Sequence, residues 1–113
     1  MKFEIGENKL ERVIFHYLDN KNFIILKPKG NYINFIEGED SKYATIKVID
    51  EVGDEVVCKV DKTLIDEISS FFSIGTGHSL TYIVDWVENK LNIEITLPYG
   101  VGALSDHMNY YRD

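Results

Sequence analysis

The sequence predicts an α+β fold: a mainly antiparallel sheet, a four-stranded meander plus a C-terminal strand, with two or three amphipathic helices packed on one face. Three observations predict it. Apolar residues recur at three- and four-residue spacing near the N-terminus and again past residue 61, the mark of helices with one buried stripe. Between them, apolar and polar residues alternate in short β-branched runs, with a turn signal every ~8–12 residues. Helix-like and strand-like segments fall into groups and do not alternate regularly, which favours α+β over a parallel α/β sheet. A chain of 113 residues is long enough for one core and too short for two. Residues 1–113 therefore read as a single domain, with 99–113 as a loosely held tail.

Taken in order, Lys2 to Ile5 is a short strand candidate stopped by Gly6. Asn8 can cap a helix from Lys9 to Leu18, because its side-chain oxygen can accept an orphan backbone N–H. Leu10, Val13, Ile14, Tyr17 and Leu18 form the stripe of that helix. Phe23 to Lys27 is the first strand of the meander, and Pro28-Lys29-Gly30 the turn after it. Tyr32 to Ile36 follows, then the polar turn Gly38-Glu39-Asp40-Ser41. Tyr43 to Ile49 alternates, with Ala44, Ile46 and Val48 on one face and Thr45 and Lys47 on the other. Glu51 to Asp54 turns the chain into Glu55 to Val60, where Val56, Cys58 and Val60 face inward. Neighbouring strands joined by short connections pair with each other.

Asp61 is the expected cap of a second helix, Lys62 to Phe72, whose apolar face is Leu64, Ile65, Ile68, Phe71 and Phe72. Ser79 to Leu91 admits two readings. Leu80, Ile83, Val84, Val87 and Leu91 suit a helix behind a Ser79 cap, whereas the β-rich composition suits a hairpin turning at Glu88-Asn89-Lys90. Helical spacing held over three turns favours the helix. Leu91 to Leu97 is then the last strand, with Ile93, Ile95 and Leu97 inward and Pro98 ending it.

Charge is the strongest functional signal. The chain carries 12 basic and 19 acidic residues, a net charge of −7, and residues 37 to 67 alone account for −6. Its two arginines, Arg12 and Arg112, stand near the ends. Phosphate backbones are bound by clustered Lys and Arg, so this distribution argues against direct nucleic-acid binding. No apolar run approaches ~18 residues, which argues against a membrane span. Glu4, Glu7 and Glu11 break the N-terminal region where an export signal needs apolar residues. The single cysteine, Cys58, excludes an internal disulfide and a paired-cysteine metal site. A cytoplasmic setting is expected.

Motifs for catalysis are weak. Gly75-Thr76-Gly77-His78-Ser79 precedes a helix start, where backbone N–H groups can hold an anion and His78 can act as acid or base. It lacks both the lysine-serine ending of a phosphate loop and the three-glycine dinucleotide pattern. His16, His78 and His107 stand at no ligand spacing, so no metal or other cofactor is expected. Cys58 alternates inward, which suits a core thiol better than a nucleophile.

The acidic turns remain. Glu37, Glu39 and Asp40 lie in one, and Asp50, Glu51, Asp54 and Glu55 in the next. Such turns serve solubility and block edge association, or they dock onto a cationic surface and steer its approach. Trp86, four residues from Tyr82 on the helix reading, is either an interface anchor or a core residue. The expectation is a non-catalytic acidic protein-binding module. It would neutralise a basic macromolecular partner by electrostatic occlusion, in the manner of an inhibitor or immunity protein, with a toxin or nuclease as target. The likeness is one of size, charge and missing motifs, and no motif ties the chain to a family. Two alternatives stand beside it: a small enzyme or ligand-binding domain using His78 and the Gly75–Gly77 loop, and a structural subunit that self-associates.

Overall fold

A computed structural model describes residues 5–27, 32–38, 43–50 and 54–102. Helix α1 spans Ile5–Asp19, and strands β1 (Ile24–Leu26), β2 (Tyr32–Ile36), β3 (Ile46–Asp50) and β4 (Val56–Asp61) follow. Helices α2 (Lys62–Phe72) and α3 (Thr76–Leu91) come next, and β5 (Leu97–Val101) completes the sheet. The five strands lie in the order β1-β2-β3-β4-β5. The first four pair antiparallel, and β5 joins β4 in parallel. The expected meander, extra strand and single helical layer are all present.

The core lies between that layer and one face of the sheet. Phe35, Ile46, Val48, Cys58 and Val60 project from the strands against Ile14, Leu18, Leu64, Ile68, Ile83 and Val87 from the helices. Each is at most 1% exposed. A buried aliphatic side chain of this kind contributes roughly 1.5–3 kcal/mol, so this layer contact is the main source of stability. Val13, expected on the buried stripe of α1, is 53% exposed.

Several boundaries differ from the sequence reading. Ile5 is helical, so α1 begins before Lys9 and Asn8 lies inside it, not at its cap. A glycine in a first turn, where N–H groups have no helical partner, does not stop a helix. Lys2 to Glu4 lie outside the described residues. Asp61 caps α2 as expected, its carboxylate accepting from Thr63 N–H at 3.1 Å. Residues 79–91 are helical, and α3 starts earlier, at Thr76 behind an N-cap Gly75. Ser79 is buried, not a cap: its hydroxyl donates to the Gly75 carbonyl at 3.0 Å and lies 2.7 Å from the Ser69 hydroxyl.

The last strand is shifted. Asn92 adopts a left-handed conformation (φ 56°) that ends α3, and the chain then needs Ile93 to Thr96 to return to the sheet. β5 therefore runs over Leu97–Val101, and Pro98 lies within it opposite Cys58. Proline is tolerated because β5 is an edge strand. Ile95 is buried as expected, but Leu97 is 45% exposed. Tyr99 to Val101, expected in a tail, are sheet residues. Gly100 lies close to α2 there: a Cβ on it would come within 2.6 Å of Ile65 Cδ1, so the end of that side chain would have to shift.

Candidate acidic interface

At one end of the sheet, the C-terminal half of α3 meets the connection between β3 and β4. A chain of hydrogen bonds joins them. After α3 ends, Ile95 N–H donates to Glu88 Oε2 at 2.7 Å. The next residue, Thr96, accepts from Val56 N–H at 2.8 Å, and its hydroxyl donates to Glu55 Oε1 at 2.8 Å. Glu88 and Glu55 are thereby held near each other, with exposed Asp54 and Glu94 beside them.

One turn back on α3, Asp85 is half-buried. Its carboxyl is raised above the ordinary value by burial, by Glu88, and by Glu11 from α1. Among the described residues, none of Glu11, Asp54, Glu55, Asp85, Glu88 and Glu94 forms an ion pair. The two that accept hydrogen bonds, Glu55 and Glu88, accept them from neutral donors. Negative charge is therefore gathered here without a counterion among the described residues, and like charges held close repel one another.

Four other acids are paired with lysines from within. Glu37 lies 3.4 Å from the Lys21 ammonium and accepts from the Thr45 hydroxyl at 3.2 Å. Glu67 takes the same ammonium at 2.9 Å together with the Tyr17 hydroxyl. Burial pushes Glu67 up, but those two hydrogen bonds outweigh it and leave its carboxyl below the ordinary value. Asp66 pairs with Lys62 at 3.2 Å. Asp19 accepts from Lys90 at 2.9 Å and from the Trp86 indole N–H at 3.0 Å, and the Lys90 hydrogen bond lowers its carboxyl most.

The residues singled out from the sequence thus divide. Asp54 and Glu55 are exposed at the uncompensated end. Asp50 closes β3 opposite Val56, at the same end. Glu37 stands past the other end of β2, where Phe35 pairs with Ile46, and is tied to Lys21. Glu39, Asp40 and Glu51 lie outside the described residues. Glu37 therefore does not share an end of the sheet with Asp54 and Glu55, because successive strand connections in a meander fall at opposite ends. Trp86 is 3% exposed and packs between Phe23 and Phe35, so it offers no ring to a partner. An aromatic that is available is Phe71, 67% exposed and stacked on Tyr17 at 5.0 Å.

Glu11, Asp85, Glu88 and Glu94 were missed. The spacing of Asp85 and Glu88 puts both on one side of α3, a signal present in the sequence. Nothing local links them to Glu11 or Glu55.

The competing sites are less developed. His78 is exposed in the first turn of α3. A neighbouring groove of about 310 Å³ is lined by Gly77, Lys62 and Gly100 but not by His78. Cys58 is fully buried, and burial, with Glu88 adding to it, pushes its thiol up to about 12. Among the described residues no three His, Cys, Asp or Glu side chains are placed to share a metal, and no helix is long and apolar enough to cross a membrane. Compared with family models, with curated proteins and with solved structures, the chain matches none of them.

Proposed function

We propose that the protein is a non-catalytic binding module, acting in the cytoplasm, that docks its acidic end onto a basic macromolecular partner and neutralises it. The observation that carries this reading is the contrast in charge pairing. Asp19 and Asp66 each pair with a lysine and Glu37 and Glu67 share Lys21, while among the described residues six carboxylates around the end of α3 pair with none.

Leaving like charges together costs stability, and the cost is recovered when a cationic surface arrives. A basic groove that normally holds substrate phosphates suits such an end, because exposed carboxylates at Asp54, Glu55 and Glu94 can occupy the phosphate positions. The partner's own activity would then stop by occlusion, the behaviour of an inhibitor or immunity protein. A net charge of −7 adds long-range steering, which raises the association rate and falls with salt.

The test is affinity capture at low salt from an extract of the source organism, followed by calorimetry with the purified partner. Triple reversal of Asp54, Glu55 and Glu94 to lysine is expected to weaken the complex at least ~100-fold and flatten its salt dependence, on the scale of about 1.5 kcal/mol or more per close charge pair. Retention of full affinity by the triple variant, with loss of activity in His78→Ala, would overturn the reading in favour of a catalytic site.

A further inference from the structure

The outward face of α1 takes no part in the acidic interface. Lys9, Arg12, Val13 and His16 are all exposed, and their three- and four-residue spacing puts them in one stripe. Its titratable side chains are all basic, in a protein whose net charge is −7. Lys9 and Arg12 form no ion pair among the described residues, and Asp19, next along the helix, is already paired with Lys90. Glu11, whose charge acts on Asp85, is two residues from both Lys9 and Val13. At ~3.6 residues per turn, that sets it about 160° round the helix from them. Basic stripe and acidic interface therefore lie on opposite sides of α1 and do not neutralise each other within one copy.

An apolar anchor adjoins the stripe. Val13 is 53% exposed, and Tyr17 follows it one turn later. Phe71, at the end of α2, is braced by Tyr17 and by Phe72, each at 5.0 Å between ring centroids. It is 67% exposed, the most of any large hydrophobic side chain among the described residues. Aromatic side chains anchor protein interfaces, and the charges around them select the partner. The acidic end supplies the complement. Asp54, Glu55 and Glu94 are exposed there, and Leu97, 45% exposed, directly follows the Thr96 that holds Glu55. Carboxylates beside an exposed leucine match an ammonium and a guanidinium beside an exposed phenyl ring.

We propose that a second copy of this chain docks its acidic end on the α1 stripe and Phe71 of the first. The two surfaces differ, so the contact is head-to-tail and leaves one free surface of each kind at the ends of the assembly. The inference rests on the acidic end of the proposed function, but not on that end taking a foreign basic macromolecule, which would compete for the same carboxylates. Two copies of charge −7 repel at long range. Salt of ~0.15 M screens that repulsion beyond about 8 Å, while charges in contact still attract. The patch is small, so association is weak, with a Kd on the order of 10–100 µM.

Sedimentation equilibrium of the full chain at that salt, from micromolar to millimolar concentration, tests this with two variants. In the face variant, Lys9→Gln, Arg12→Gln and Phe71→Ser remove the stripe and its anchor. In the end variant, Asp54→Asn, Glu55→Gln and Glu94→Gln remove the charges of the acidic end. The wild type should gain mass with concentration, and each variant alone should stay monomeric. An equimolar mixture of the two should restore a one-to-one pair and nothing larger, because it holds one intact surface of each kind. That restoration also shows that both variants are folded. A wild type that stays monomeric at millimolar concentration would overturn the proposal, as would association undiminished in either variant or no pairing in the mixture. A monomeric wild type that still captures a basic protein through Asp54, Glu55 and Glu94 refutes self-association alone and leaves the proposed function standing. Binding of an acidic leucine-containing peptide to the α1 stripe of such a monomer would assign that face to a foreign acidic partner instead.

Discussion

Replacing Asn34 by leucine should make this protein more stable, the reverse of the usual result for a core substitution. The side chain is 1% exposed, and both of its polar atoms are unpartnered. A buried donor or acceptor without a partner costs about 1–3 kcal/mol of desolvation that nothing returns. Leucine removes that cost, keeps nearly the same length, and meets apolar Leu26 across the strand pair. Added branching costs something in packing, so a net gain of about 1–2 kcal/mol is expected. Unfolding entropy near 2.1 cal/mol/K per residue, over 113 residues, makes each kcal/mol worth about 4 °C in Tm. The variant should therefore melt about 4–8 °C higher than the wild type. Trp86 is the only tryptophan and lies in the core against Phe23 and Phe35, so its fluorescence during urea or thermal unfolding reports the transition. A midpoint lowered by several degrees would show that the amide is engaged in the folded state, and the desolvation argument would fail with it.

The remaining expectations concern the charged end and the thiol. Lysine at Asp54, Glu55 and Glu94 should change Tm by no more than a surface substitution does, about 0.5 kcal/mol each, so lost binding in those variants is not lost folding; circular dichroism melts check this. Asp85 has a carboxyl raised by burial, Glu88 and Glu11, so its ionised form opposes folding. Its contribution improves as pH falls through that raised value towards the unfolded value near 3.9, and Asp85→Asn should raise the urea midpoint at pH 7 more than at pH 4. An equal shift at both pH values would refute the assignment. Cys58, pushed from 9.0 to about 12, is about one part in 10⁴ thiolate at pH 8 against about one in ten when unfolded. Ellman's reagent should label it at least ~10³-fold more slowly in buffer than in urea, and fast native labelling would contradict its burial.

Periodicity and capping chemistry were enough to identify most elements. The stripes of α1 and α2, the alternation of β3 and β4, and the Asp61 cap depend on residues within a few positions of each other, where side-chain direction follows directly from backbone repeat. The helix over residues 79–91 was also legible, because five apolar positions kept its spacing. Its start was misread since Ser79, a good cap by type, was needed as a buried link to Ser69. Pro98 reads as a strand end unless one knows that the strand lies at the sheet edge, and edge position is a property of the whole sheet.

The function-bearing groups divide the same way. Net charge and the absence of a catalytic motif belong to composition and can be read without a fold. Which carboxylates remain unpaired cannot, because Lys21 reaches Glu37 and Glu67 across 16 and 46 positions, and Glu11 meets Asp85 only through the packing of α1 on α3. Asn34, too, is an ordinary polar residue in an alternating strand until register sets it beside Lys47 and burial leaves its amide without a partner. Local sequence determines the direction in which each side chain leaves its element. Only the assembled layers decide what it meets there, since electrostatic and hydrogen-bond energies depend on distances between residues far apart in the chain.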